Sequence, residues 1–282
     1  MRRRAGVSTG SSGTRRGVLG TVFAAALLLG ACGRGGPAEP DASAAVDVLR
    51  VLTYNIHHGE GADGVLDLER IAGVINGASA DLVALQEVDQ GAVRTGGVDQ
   101  AAELGRLTGM HHAFAPFMEF DGGRYGLAIL SKHPIQSTQV IALPTGRHEP
   151  RTALAAEVMI PGRASVTFVC AHLDWLESDT ERFAQAEALA RSLEEDPGVV
   201  LAGDFNDVPG SRTMVLFGET FTDAVKRGDG RATYPSDRPR EEIDFVMYRP
   251  GYAFVGGARV LGEEVASDHR PVLATLEWVW SK

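Results

Sequence analysis

Between residues 48 and 278 the chain is built from short apolar runs of strand length, and this rhythm limits its possible folds more than any other feature. The runs cover 48–56, 81–88, 125–131, 135–143, 152–160, 165–173, 198–202, 243–248, 253–261 and 272–278. Each is rich in Val, Ile, Leu or Ala and bounded by turn-forming residues, as strands are. Helical spacing occurs in fewer places: 68–75, opened by Asp67 as a cap, then 100–107 and 179–193. Many strands with few intervening helices predict an α/β fold in which two sheets pack face to face and helices cover their outer faces. No internal repeat or second linker interrupts the run, so 47–282 is expected to be one domain. An apolar fraction of 44% supplies its core.

Residues 1–32 have a different character. Arg2, Arg3, Arg4, Arg15 and Arg16 precede an apolar run at 17–29, with no acidic residue among them. That run is shorter than the roughly 20 residues a membrane span requires, so it fits the apolar region of a signal peptide. Leu29-Gly30-Ala31-Cys32 resembles the bacterial lipoprotein box, in which Cys32 is lipidated; the alternative is an ordinary secretory signal with an incidental cysteine. Thr14-Arg15-Arg16-Gly17-Val18-Leu19 resembles a twin-arginine export signal. Residues 33–46, rich in Gly, Ala, Pro and Ser, form the expected flexible tether. The expectation is an exported monomer, lipid-anchored to the outer face of the cytoplasmic membrane or the cell envelope.

Charge and cysteine content narrow the function. The chain carries 27 basic and 37 acidic residues, and the leader holds basic ones only, so the remainder is more acidic still. Proteins that grip nucleic acid through its phosphates normally show a basic footprint, which counts against a nonspecific nuclease. Beyond Cys32 the sole cysteine is Cys170, so no internal disulfide framework exists and Cys170 is expected to be a buried small hydrophobe. Two motifs mislead. Gly59-Glu60-Gly61-Ala62-Asp63-Gly64 fits a dinucleotide loop, but its acids would repel a pyrophosphate and the helix starts too late, so a surface loop is expected. Gly6-Val7-Ser8-Thr9-Gly10 fits a hydrolase nucleophile elbow but lies in the leader.

The chemistry lies where the apolar runs stop. Asn55, then Gln86 and Glu87, His172 and Asp174, and Asp204, Asn206 and Asp207 close successive runs; Asp244 lies in another, and Asp268-His269 precede the last. Singly these are ordinary turn or cap residues. Together they are too many buried polar groups to leave without partners or a metal. An oxygen-rich, thiol-free set suits a hard cation, Mg²⁺ or Mn²⁺, of the kind that polarises a phosphoryl oxygen.

Asn55 with Ile56, Leu85-Gln86-Glu87-Val88, Gly126-Leu127-Ala128-Ile129-Leu130-Ser131, Ala171-His172-Leu173-Asp174, Gly203-Asp204-Phe205-Asn206, Ile243-Asp244-Phe245 and Ser267-Asp268-His269 occur in the order of the motifs of the endonuclease/exonuclease/phosphatase family, which the chain resembles over about 48–278. The resemblance implies a four-layer α/β sandwich and a metal-dependent phosphoesterase. It implies Glu87 as principal metal ligand, helped by Asn55 and Asp268. Asp204 would orient and deprotonate water, Asn206 would position it or the phosphate, and His269, held by Asp244, would contact the phosphate. His172 would be a second imidazole at the phosphate or leaving group. Whether Asp204 or His269 is the base stays open.

Many relatives carry Asn where Leu127 stands, which puts the substrate class in question. Arg151 and Arg124 are candidate phosphate contacts, with surface ion pairs as the alternative. One of His57 and His58 is expected near the site, and Tyr125 in the core. The expected activity is hydrolysis of a phosphodiester or phosphomonoester, such as a phospholipid headgroup or small phosphorylated metabolite. An extracellular nuclease and a non-catalytic binding module on the same fold are the alternatives.

Overall fold

A computed structural model of the protein describes residues 47–278, apart from Arg147, Asp229, Tyr252 and Ala253. The leader, Cys32 and the tether at 33–46 therefore lie outside the described residues.

The first sheet contains β1 (Val48–Asn55), β2 (Leu82–Gln90), β3 (His111–Phe120), β4 (Gly123–Ser131), β11 (Phe254–Val260) and β12 (Val272–Trp278), in the order β11-β12-β1-β2-β4-β3. The second contains β5 (Ile135–Ala142), β6 (Thr152–Val158), β7 (Val166–His172), β8 (Val199–Asp204), β9 (Thr222–Asp223) and β10 (Asp244–Tyr248), in the order β5-β6-β7-β8-β10-β9. Only the central pairs, β1/β2 and β7/β8, are parallel. Parallel neighbours need a crossover, and helices α1 (Leu68–Ala78) and α3 (Thr180–Ser192) supply the two. Helices α2 (Gln100–Thr108) and α4 (Arg212–Gly218) lie between the other strands in sequence. Asp67 and Asp99 cap α1 and α2, accepting from Arg70 N and Ala102 N, which satisfies otherwise orphaned amides.

Side-chain alternation builds the layers. On β1, Leu49 and Val51 join Phe168, Cys170, Val200 and Val246 in the core between the sheets. Leu52 and Tyr54, of opposite parity, pack with Ile71, Ile75 and Leu104 of α1 and α2. Val169, Leu201 and Phe245 face α3 and α4 in the same way through Leu189 and Phe217. Helix, sheet, sheet, helix is the expected sandwich. Cys170 is fully buried in its central core, where burial pushes its thiol up to about 12. The glycine-rich segment after β1 is a surface loop: Gly61 N donates to Val65 O (3.0 Å), and Asp63 pairs with Arg70 (2.9 Å).

Three elements had no counterpart in the sequence expectation, and one of them, β9, is only two residues long. Strand β3 contains Pro116, which argues against a strand; it lies at an edge, beside a register shift between Pro116 and Met118, where a missing amide is tolerated. Helix α4 is too short to show a period. A further difference concerns direction. Asp244 begins β10 rather than lying within a strand, and because β10 runs antiparallel to β8 it pairs directly with Asp204. The C-terminal ends of both parallel pairs thus meet the start of an antiparallel strand along one edge. Gly203 permits the close approach of β8 to β7, since a β-carbon there would collide with the Ala171 carbonyl oxygen.

Candidate active site

Glu87 lies inside β2 rather than at its end. The ladder to β4 shifts register between Leu85 and Val88, and Glu87 within this bulge has φ +60°. Bulges re-aim a side chain, and a left-handed non-glycine residue is strained, a pairing common at functional sites. Asn55 Nδ2 donates to Glu87 Oε1 at 3.0 Å and to Asp204 Oδ2 at 3.1 Å, so one amide bridges carboxylates from the two sheets. Ser267 Oγ donates to the Asn55 carbonyl at 2.7 Å and accepts from His269 N at 3.3 Å, which docks the Ser267-Asp268-His269 turn on the end of β1.

Asp204 is 1% exposed and lies between two imidazoles, with His172 Nε2 at 3.6 Å and His269 Nε2 at 3.7 Å from Oδ2. Burial, then the charge of Asp244, raises its carboxyl to about 7. The two imidazoles differ. Burial alone would lower His269, but Asp244, Asp204 and Asp268 outweigh it and push the ring up to about 10. Its Nδ1 lies 3.0 Å from Asp244 Oδ2. Burial, with Arg151 and His269 nearby, holds His172 well below its ordinary value. Arg151 Nη1, which can only donate, lies 3.4 Å from His172 Nδ1; the His172 proton is therefore on Nε2, facing Asp204. Asn206 (φ +49°) donates its backbone N–H to Asp204 Oδ1 at 2.9 Å and its side chain to Leu173 O at 3.0 Å. Glu87, Asp204, Asn206, Asp268, His172, His269 and Arg151 all line one cleft of about 420 Å³.

A sequence model of the Endonuclease/Exonuclease/phosphatase family matches residues 52–269. This chain belongs to that family. Its members are phosphoesterase hydrolases. The chain is similar to an endonuclease/exonuclease/phosphatase from Beutenbergia cavernae, with 27% identity over 83% of this chain and 72% of the other and a TM-score of 0.65. It shares its fold with a mannosyl-6-phosphatase of Bacteroides thetaiotaomicron (17% identity, 82% and 100% covered, TM-score 0.66). A humanized D. rerio TDP2 has the same fold (18% identity, 82% and 100% covered, TM-score 0.65).

Within the family framework some expected residues are placed elsewhere. Arg124 does not reach the cleft. It has the strand parity of Ala128 and Leu130, which face α1 and α2, and its guanidinium lies over Phe114 at 6.0 Å. Arg151 does reach it, 2% exposed, while pairing with Glu149 at 2.9 Å. Leu127 is buried between the sheets. Tyr125 is both core and site: its ring packs on Phe117 at 4.9 Å and it lines the cleft beside Glu87. Tyr234, its ring tilted against His269 at 4.8 Å between centroids, and Glu149, Glu241 and the 60%-exposed Trp175 also line the cleft, and the sequence expectation missed them. A tryptophan directly after a strand-end Asp was the one readable signal among these.

Proposed function

We propose that the chain is a Mg²⁺- or Mn²⁺-dependent phosphoesterase that hydrolyses a phosphate ester by in-line attack of water. The observation that carries this reading is Asp204, a buried carboxylate near neutrality, set between one neutral and one cationic imidazole and tied by Asn55 to Glu87. The carboxylates Glu87 and Asp268, with the Asn55 amide beside them, are oxygen donors without a thiol and fit a hard cation. Held there, such an ion would polarise the phosphoryl oxygen and offset the charge that builds up in the transition state.

The chain's own groups do the rest. Asp204 takes the proton of the attacking water, and the Asn206 N–H holds its second oxygen in place. His269, kept cationic by Asp244, offers positive charge to a phosphoryl oxygen. His172 presents a fixed N–H to the same Asp204 carboxylate oxygen that His269 faces, oriented by Arg151. The acidic surface, together with Trp175, Tyr234, Glu149 and Glu241 around the cleft, favours a phospholipid headgroup or small phosphorylated metabolite over nucleic acid. The fold relative acting as a mannosyl-6-phosphatase supports the same direction.

The test is turnover on sphingomyelin, phosphatidylinositol species, sugar phosphates, DNA and RNA, with and without chelator. Metal-dependent release from a headgroup or sugar phosphate is the expected result. Turnover of nucleic acid alone, weakening steeply with salt, would replace this substrate class with a nuclease. No metal-dependent turnover on any of them would leave a binding module.

We further propose that the chain is exported and anchored by lipid on Cys32, on the strength of the basic start, apolar run and Leu-Gly-Ala-Cys sequence. Fractionation of a Cys32→Ser chain should move the protein from the membrane to the soluble fraction. Persistence in the membrane would rule the anchor out.

A further inference from the structure

The turn after Asn55 is strained in a way that hydrolysis does not require. His57 (φ +44°) and His58 (φ +46°) are both left-handed, and Gly59 (φ +82°) follows. Consecutive non-glycine residues rarely adopt this conformation unless their surroundings impose it. Buried Gln100 does so here, donating through Nε2 to the His58 carbonyl at 2.7 Å while its Oε1 accepts from Asp89 N at 2.9 Å. The turn sets the two imidazoles edge to face, 4.5 Å between centroids. It also brings one ligand atom each of His57, His58 and Glu87 within 4.8 Å of one another.

One nitrogen of each ring faces an oxygen of Glu60, and the other is left for a ligand. His57 Nδ1 lies 3.2 Å from the Glu60 carbonyl, which can only accept, so the proton is on Nδ1 and the Nε2 lone pair is available. His58 Nε2 lies 3.6 Å from the Glu60 carboxylate, while its Nδ1 is buried with no hydrogen-bond partner among the described residues. His58 as a whole is 9% exposed, and a buried polar atom left unpaired calls for a partner from outside the protein. Histidines that bind metal are oriented in this manner, one nitrogen on a carbonyl or carboxylate and the other on the ion.

We propose that His57, His58 and Glu87 form a second cation site, beside the oxygen-rich one and sharing Glu87 with it. Two imidazoles and one carboxylate suit a first-row transition ion such as Zn²⁺ or Co²⁺, and suit Mg²⁺ poorly. The strained turn is the device that turns both rings toward one point. The count of two ions rests on the metal of the hydrolysis reading, whereas this site is read from the one equivalent that depends on the histidines and not from turnover.

The experiment strips the full chain with chelator, then titrates Co²⁺ while recording bound metal per chain and visible absorption. Two equivalents are expected in the wild type, one of them ligated by histidine and not displaced by excess Mg²⁺. The double variant His57→Ala/His58→Ala should lose that equivalent and its absorption. If the double variant keeps the same count and spectrum, the site does not exist. Should circular dichroism show the double variant unfolded, Glu60→Gln decides, since it leaves both rings in place. Its Co²⁺ affinity should fall by roughly 10–100-fold, and an unchanged affinity would overturn the proposal. A protein that hydrolyses nothing, yet loses one Co²⁺ equivalent in the double variant, would keep this site and refute the hydrolase.

Discussion

Asp204→Asn should lower kcat by about 10²–10⁴-fold on whichever ester the enzyme turns over, the range a positioned general base contributes. The substitution keeps the shape of the side chain and an oxygen for the Asn206 N–H, but removes the proton acceptor between His172 and His269. KM should change little, because substrate contacts through Arg151 and His269 remain. The same variant carries a second readout that does not depend on catalysis. With its carboxyl raised from the ordinary 3.8 to about 7, Asp204 in the folded, chelated protein keeps a proton that the unfolded chain has lost between those values. Folded-state stability therefore falls as pH rises through that window. Urea denaturation across it should show the fall in the wild type and a flatter profile in Asp204→Asn. A variant with full activity would mean that another group is the base, and one with the wild-type slope that another group carries the raised carboxyl.

Glu87→Gln is the other change with a large expected effect. Gln preserves the bulge geometry and a carbonyl oxygen but removes the negative charge that a divalent cation needs. Turnover should drop on the order of 10²–10³-fold, as loss of several kcal/mol of charge stabilisation implies. Added Mg²⁺ or Mn²⁺ should raise the Tm of the wild type and leave the variant nearly unmoved, since only the protein that binds the ion is stabilised by it. Chelator should reproduce the variant's activity in the wild type, reversibly. Wild-type turnover that survives chelation would remove the metal from the mechanism.

Much of this architecture was readable because the relevant signals are local. Apolar runs ending in Asn55, Gln86, His172 and Asp204 mark strands whose ends share one edge, and all but Gln86 take part in the polar network there. The bulge at Glu87 was not readable, because the strand simply continues in sequence to Gln90. Arg124 lies next to the right motif but on the wrong face; its parity with Ala128 was in the sequence, whereas only the packing shows which face the helices cover. Tyr234 and Glu241 come from a long segment without period between β9 and β10, and such loops declare their positions only once folded. Strand β3 was hidden by Pro116, whose cost depends on the strand lying at an edge. The two histidines after Asn55 were legible as neighbours of the site, but the left-handed turn that aims them together was not.

The Asn55 amide joins a carboxylate on one sheet to a carboxylate on the other. In the proposed mechanism the work is therefore divided between the two sheets, with Glu87 on one and Asp204, the proposed proton acceptor, on the other. Side-chain packing, the Asn55 amide and the short backbone bridge between Lys226 and Ala258 keep the two sheets in step, so turnover acts as a gauge of how well the sandwich is closed. Heating that lets one sheet slide on its neighbour would silence the enzyme while every strand still reads as intact.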